Sequence, residues 1–459
     1  MKRARLLTVL LFVAIQAVML FNVTLHDPTI EYDAEDHLSY FATLAQHRLP
    51  TLDDSREFYC PPLPYLVPTL ALMSGATTEW GAGKIAQFVN LICSVVLCVF
   101  LCKICELMAP GADDLKFWSL AMLAITPVYF KTFAMVRGEP MLAMFATASI
   151  FYTLRAFREG ERRRYDFVIL GVMLGLTILS RQWALMIPPA IAVYAFALPR
   201  PTLKERILNL KPLVVSFAIA AMVGGWWYVS LYERFGSITP FNRPLQKFTL
   251  REEPLKFYIG LGLPEFFTDP IRPSFTNQLI PTYYSEYWGD WEGYFLVYGR
   301  MKDTGELRDG LKLWFSLRTD PKMISYTTNR FSISTGLGMV NLAAIVPSLL
   351  MFAGFIAGMA ALVGRGRGKL DEGLLAVVIF ASMAGYFWFM IKLPSVGSGN
   401  NIKATYELQT VPFLAILGAR EIIMIREYRP MLYQVLLGLL SICALIIAPF
   451  LFTRYVVFP

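Results

Sequence analysis

Glu31, Asp33, Glu35, Asp36 and His37 crowd into seven residues of chain, and Cys60-Pro61-Pro62-Leu63-Pro64-Tyr65 follows further along the same loop. Of the eight carboxylates between Asp27 and Glu57, four fall in this one cluster, and all three histidines of the chain (His26, His37, His47) share the loop. Carboxylates at this density can take a proton from a hydroxyl, hold a cation or stay solvated. If the loop is helical there, Asp33 and His37 share a face at i and i+4, giving a carboxylate with an adjacent orienting imidazole, while Glu35 and Asp36 point elsewhere. A solvated acid-rich surface loop is the plain alternative. No His/Asp spacing matches a zinc site. A divalent cation, if one binds, would take oxygen ligands, and no residue is assigned to a metal.

Three cations and a further acid stand where polar groups are expensive. Arg137 and Glu139 sit in Met135-Val-Arg-Gly-Glu-Pro-Met-Leu-Ala143. Pro140 suits the first turn of a helix, so Glu139 also reads as a helix-start acid favoured by the dipole. Arg181 separates the apolar runs Gly171–Leu179 and Trp183–Ile187, and Lys403 precedes another. A lone cation at membrane depth calls for an acid or an anionic ligand, although snorkelling to lipid phosphates would serve both residues equally. Residues 281–295 carry seven aromatics, Tyr284, Trp288 and Trp291 among them, beside Glu286, Asp290 and Glu292. Rings interleaved with acids suit sugars, whose CH faces stack while their hydroxyls bond carboxylates. They equally suit a folded core or an interfacial belt.

These residues are carried by a chain built for a bilayer. Its 459 residues are 56% hydrophobic and 17% charged, with a mean hydropathy of +0.50, more apolar surface than a soluble core of this size hides. Apolar runs long enough to cross hydrocarbon as helices lie near 6–22, 85–104, 117–135, 140–156, 166–180, 183–198, 212–232, 337–363, 373–391, 404–419 and 431–452. Four of the six cysteines lie inside these runs, Cys105 directly follows one and Cys60 alone lies apart, so no disulfide framework is expected. The expected fold is an all-α polytopic membrane protein of about eleven transmembrane helices.

Every second connection is basic: the amino terminus, Arg155–Arg164, Arg200–Lys211, Arg365–Lys369 and Arg420–Arg429. The positive-inside rule puts these in the cytoplasm, which accounts for the net charge of +8 without a nucleic-acid partner. The segment 6–22 reads as a retained signal anchor with a cytoplasmic N-terminus. The acidic loop 23–62, the Arg137–Glu139 turn, Arg181, the insert 233–336 and Lys392–Lys403 then all face outward from an inner (plasma) membrane. Residues 1–232 form an N-terminal module, the Pro-rich 63–75 lies flat at the interface, 233–336 folds as a small mixed cap, and 337–459 supplies the last helices.

In order and spacing these features resemble the GT-C superfamily of membrane glycosyltransferases, in particular its protein mannosyltransferase and lipid A aminoarabinose transferase branch. The family's acidic motif after the first span is similar to Asp33-Ala34-Glu35-Asp36-His37, and its Pro-Pro-Leu-x-Tyr segment to Pro61–Tyr65. Its acid before a Pro-Leu helix start resembles Glu139-Pro140, its basic residue after a Gly-rich span resembles Arg181, and its late Lys-x-Arg-Tyr segment resembles Lys403-Ala-Thr-Tyr406. Ala34 and Thr405 depart from the pattern, so Glu35 or Asp36 could stand in for the second acid, and phosphate contact shifts onto Lys403 and Arg181.

The resemblance implies an inverting transfer on the extracytoplasmic side, from a polyprenyl-phosphate-linked sugar to a hydroxyl on a glycan, lipid or protein. Asp33 would be the base, with Glu35, Asp36 and Glu139 as the other catalytic candidates. Arg181, Lys403 and Arg137 would bind the donor phosphate; His37, Tyr65, Tyr284, Trp288, Asp290, Trp291 and Tyr406 would contact sugar or acceptor. No nucleotide is needed, in keeping with the absence of any Walker-type or dinucleotide loop. A flippase, polymerase or transporter of lipid-linked glycans is the alternative.

Overall fold

The computed structural model describes residues 2–158, 163, 165–199, 201–301, 305–309, 324–364 and 370–458. The basic residues Arg162, Arg164, Arg200, Arg365, Arg367 and Lys369 lie outside them. The chain is helical almost throughout. In order the helices are α1 (Lys2–Leu25), α2 (Ala34–Ala45), α3 (Leu66–Met73), α4 (Glu79–Met108), α5 (Asp113–Ala124), α6 (Pro127–Phe133), α7 (Glu139–Phe157), α8 (Asp166–Ser180), α9 (Ile187–Ala197), α10 (Leu203–Leu208) and α11 (Lys211–Phe235). After these come α12 (Leu255–Ile259), α13 (Glu265–Thr268), α14 (Leu279–Trp288), α15 (Ile324–Ala343), α16 (Ile345–Val363), α17 (Leu370–Lys392), α18 (Val411–Tyr428) and α19 (Pro430–Ile447). Strands β1 (Val297–Met301), β2 (Leu307–Asp309) and β3 (Arg454–Phe458) form one sheet in the order β2-β1-β3. β1 pairs antiparallel with β2 and parallel with β3, so the end of the chain returns to complete the insert.

Among the described residues, eight helices are long and apolar enough to cross a membrane, and the all-α polytopic class expected from the sequence holds. Three of the expected spans take another form. The run 117–135 breaks at Ile125-Thr126, where Pro127 opens the short helix α6. The runs 166–180 and 183–198 become the shorter helices α8 and, after a 3₁₀ turn at Gln182–Met186, α9. Leu63–Met73 is also too short to span.

Ion pairs bind the helix ends into two faces. Arg158 meets Asp371 at 3.0 Å, Arg420 meets Glu372 at 2.9 Å and Arg426 meets Asp114 at 2.7 Å, which gathers the ends of α7 and α18 with the starts of α5 and α17. Glu139 opens α7 at its other end, about 28 Å away at the helical rise of ~1.5 Å per residue. The acidic-loop chemistry therefore stands on the face opposite these basic connections.

Helices α8 and α11 approach through small residues. A Cβ on Gly171 would meet Ser216 O at 2.7 Å, one on Gly175 would meet Val223 Cβ at 2.5 Å, and one on Gly224 would meet Gly175 O at 2.7 Å. Spacing of four puts such residues on one helix face, and in lipid this close backbone contact holds helices together. Gly175→Val should lower the thermal unfolding midpoint in detergent, with an overpacking cost of about 1–3 kcal/mol. Gly225, whose Cβ would meet only Ala221 Cβ at 3.8 Å, should accept alanine with no loss.

Candidate functional site

The site forms where the first loop, the starts of α7 and α9 and the segment before α18 meet. Asp33 is the N-cap of α2 and takes a left-handed conformation (φ 57°, ψ 28°), with no side-chain bond to the helix it caps. Its carboxylate instead meets Lys403 Nζ at 3.1 Å. Asp is among the few residues that tolerate this backbone region, and such strain gathers at functional positions. Lys403 is set by the loop before α18: its N–H donates to Tyr386 Oη at 2.7 Å, and that hydroxyl donates to Asn401 O at 2.8 Å. The ammonium lies 4.7 Å from the Tyr32 ring and 5.7 Å from the Tyr406 ring.

Beneath this pair lies a buried charge cluster. Arg181 adopts an extended backbone between α8 and the 3₁₀ turn. Its guanidinium reaches Glu139 Oε1 at 2.8 Å and Glu57 Oε2 at 2.8 Å, and also donates to Cys60 Sγ. Arg137 Nε meets Glu139 Oε2 at 3.2 Å, and its plane lies 5.3 Å from the Tyr32 ring and 5.8 Å from the Tyr406 ring. Gly138 makes the approach possible, because a Cβ there would lie 2.8 Å from Ser180 O. Glu31 accepts from the Val136 N–H, while its other oxygen is buried without a partner.

Burial and partners set the charges. The Lys403 ammonium holds the Asp33 carboxyl well below the usual carboxylate range, with Arg137 adding to the effect. Burial, the largest influence on Glu57, would raise it, yet Arg181 and its other partners, the Cys60 hydrogen bond among them, together leave that carboxyl lowered. Burial raises Glu31 well above its ordinary value, against the pull of Arg137 and the Val136 N–H. Burial lowers His37 and His26 to about 4.

A cavity of about 570 Å³ opens over this cluster, with Asp33, Glu57, Arg56, Arg243, Lys403 and Tyr406 in its walls. The structure thus gathers Asp33, Arg137, Glu139, Arg181, Lys403 and Tyr406. Glu139 is fully buried and bonded to both arginines, a counter-ion and not a group facing the cavity. Glu35 points to solvent and Asp36 accepts from the Arg56 N–H at 2.7 Å. His37 does not orient Asp33. The helix begins only at Ala34, and the imidazole turns inward to Tyr65 Oη at 2.9 Å.

The aromatic segment serves the protein's interior. Trp288 and Trp291 are buried, with Trp291 Nε1 donating to Ser274 O, and Asp290 accepts from the Phe295 and Leu296 N–H groups at 2.8 Å. Tyr284 donates to Asn341 O. None of the four lines the cavity. The segment clamps the insert to the membrane helices through Lys131, which pairs with Glu286 and donates to the Gly289 carbonyl at 3.2 Å, while Tyr32 Oη bonds the same Glu286. Glu57, Lys131 and Arg243 were not singled out by sequence reasoning; only Lys131, a cation inside an apolar run, carried a signal. Among the described residues no three His, Cys, Asp or Glu side chains come together as a metal site requires, and no step is routed through a metal.

Two outcomes follow from this geometry. Arg181→Met leaves Glu57 without its cation and Glu139 with Arg137 alone, and breaking a buried pair costs about 3–5 kcal/mol; thermal unfolding should show this loss, and Arg181→Lys, which lacks the fork, should recover part of it. His26 and His37 are neutral when folded and take protons near pH 6.5 when unfolded, so stability is complete above that pH and falls toward pH 4. Each contributes up to about 3 kcal/mol to that slope, and His37→Gln should flatten the decline of the unfolding midpoint across this window.

A family model for dolichyl-phosphate-mannose-protein mannosyltransferases matches residues 61–226. No curated protein matches the chain. Among solved structures, ArnT from Cupriavidus metallidurans bound to undecaprenyl phosphate aligns with a TM-score of 0.51 at 14% identity, over 96% of this chain and 64% of ArnT. The oligosaccharyltransferase of Archaeoglobus fulgidus in complex with zinc and sulfate aligns at 0.50 and 10% identity, over 96% of this chain and 53% of that one. Its apo form gives 0.51 and 14%, over 97% and 56%. The chain spans less than two thirds of the length of each structure. With this fold across nearly the whole chain and a mannosyltransferase family match over the part that carries Tyr65, Arg137, Glu139 and Arg181, the protein resembles the GT-C superfamily of polyprenyl-phosphate-dependent membrane glycosyltransferases.

Proposed function

We propose that the protein is an inverting glycosyltransferase that moves a sugar from a polyprenyl-phosphate donor to an acceptor hydroxyl on the extracytoplasmic side of the membrane. The observation that carries the reading is the Asp33–Lys403 pair at 3.1 Å on the wall of one cavity, with Arg243 in the same wall. A carboxylate and cations around one space are what a phosphate leaving group and a hydroxyl nucleophile need. The fold shared with ArnT, solved with undecaprenyl phosphate, supports the donor class. The basic connections on the opposite face support the orientation, through the positive-inside rule.

In this reading the donor phosphate takes Lys403 and Arg243, and Lys403 gives up Asp33. Asp33 then accepts the proton of the acceptor hydroxyl. The hydroxyl oxygen attacks the anomeric carbon from the side opposite the phosphate, the carbon–oxygen bond to phosphate breaks, and polyprenyl phosphate leaves with one more negative charge. Glu139 and Glu57 act as positioning residues that hold Arg137 and Arg181 beneath the phosphate. A carboxylate paired with an ammonium is a weak base, so anion binding at Lys403 strengthens the base at the moment the donor arrives.

Release of free polyprenyl phosphate by purified protein given a polyprenyl-phosphate sugar and candidate acceptors tests the reading. Asp33→Asn should reduce turnover by roughly 10²–10⁴-fold, and Lys403→Met by about 10²-fold. Turnover that survives Asp33→Asn unchanged overturns the base assignment. Activity requires ionised Asp33 and Lys403 lowers its pKa, so Lys403→Met should shift the acid limb of kcat/KM to higher pH. An unmoved limb would separate Lys403 from the base.

A further inference from the structure

A second cavity, of about 400 Å³, lies behind the ring of Phe241, between the Gln182–Met186 turn and α17. Phe241 lines both cavities, and Tyr406 faces the charged one while its neighbour Glu407 faces this one. The walls are largely apolar, and Met186 and Trp388 at the rim are part-exposed on segments apolar enough to face lipid.

Three polar side chains inside this groove are more than nine-tenths buried. Both amide atoms of Gln182, Ser382 Oγ and Glu407 Oε2 find no hydrogen-bond partner among the described residues. Nor does Glu407 form an ion pair there. Buried polar groups left unpaired are costly, so three of them lining one groove point to a ligand that completes them. A polyprenyl chain is hydrocarbon and would leave all three unsatisfied. A polypeptide would bring its own backbone groups into an apolar slot with too few partners. A hydroxyl-bearing head group donates to Glu407 and both donates to and accepts from Gln182 and Ser382, while its apolar tail runs past Met186 and Trp388 to the bilayer.

We propose that this groove is the acceptor site, and that the acceptor is an amphipathic lipid with a hydroxyl-bearing head, held by Glu407, Gln182 and Ser382 in a groove that shares the Phe241 wall with the Asp33 cavity. The assignment rests on the glycosyl-transfer reading above.

Photolabelling of the full chain in lipid nanodiscs tests it, with two probes that carry a diazirine beside the head: a monoacylglycerol and undecaprenyl phosphate. Mass-spectrometric mapping should find the monoacylglycerol on residues 182–186 and 382–388, undisplaced by undecaprenyl phosphate. Glu407→Leu and Gln182→Leu should each cut that labelling about tenfold, the effect of one lost hydrogen bond to a buried group. Glu407→Gln, which keeps shape and hydrogen bonding, should retain most of it and shows that the fold survives change at this position. Undecaprenyl phosphate labelling these segments and displacing the monoacylglycerol overturns the proposal in favour of a donor-tail groove. Absence of label, or label indifferent to both leucine variants, overturns it as well. Polyprenyl phosphate release measured on the same preparation separates the two readings. Turnover without label in the groove removes the acceptor site alone, and label without turnover leaves a lipid site whose acceptor role has failed.

Discussion

One guanidinium ties the site together. Arg181 is the break between two helices too short to span alone, and it is buried with Glu139 at 2.8 Å and Glu57 at 2.8 Å. A cation at this depth without carboxylates would be untenable, so its presence dictates that the start of α7 and the far end of the first loop come to it. The order of consequence runs outward from there. Glu139 fixes Arg137, Arg137 lies between Tyr32 and Tyr406, and Tyr32 leads directly into Asp33. Residues remote in sequence are therefore held as a single charged floor under the cavity.

Much of this was legible in the sequence wherever the physics is local. Apolar runs and basic connections fixed the class and gathered the unusual groups on one face, and Arg181 and Lys403 stood out because charge at a span end demands a reason. What was not legible depends on pairing across distance. Glu57 is one acid among eight in its loop, and nothing local distinguishes it from Asp53 or Asp54. Only the fold brings it to Arg181. Asp33 and His37 have the spacing of a shared helix face, but the helix starts one residue too late, and burial turns the imidazole toward Tyr65. The aromatic segment was ambiguous for a similar reason: ring-and-acid composition is the same for a sugar platform and for a packed clamp. Lys131 and Glu286 settle it as a clamp over the described residues.

The break in the run 117–135 has the same origin. An apolar stretch containing Lys131 is tolerable only if that ammonium is paired, and here it pairs with Glu286 from the short buried helix that Pro127 opens after the break at Ile125-Thr126. The insert is thus joined to the membrane helices by charge inside the fold as well as by loop contacts such as Arg243 to Leu393 and Ser395. Tyr32, bonded to the same Glu286 and packed beside Lys403, connects that clamp to the cavity wall.

The charge balance of the floor constrains what the cavity can accept. Asp33, Glu57 and Glu139 face Arg137, Arg181 and Lys403, so three carboxylates meet three cations and the resting cluster is neutral. Among the described residues Arg243 in the wall bonds only to uncharged oxygens, those of Leu393, Ser395 and Asn401, and Arg56 forms no ion pair. Surplus positive charge therefore sits on the wall while the floor is already satisfied. A neutral ligand would leave that surplus uncompensated, and a second cation would add to it. An anion is the ligand that improves the balance, and the place where it gains most is beside Lys403, whose present partner is the one carboxylate that is only partly buried.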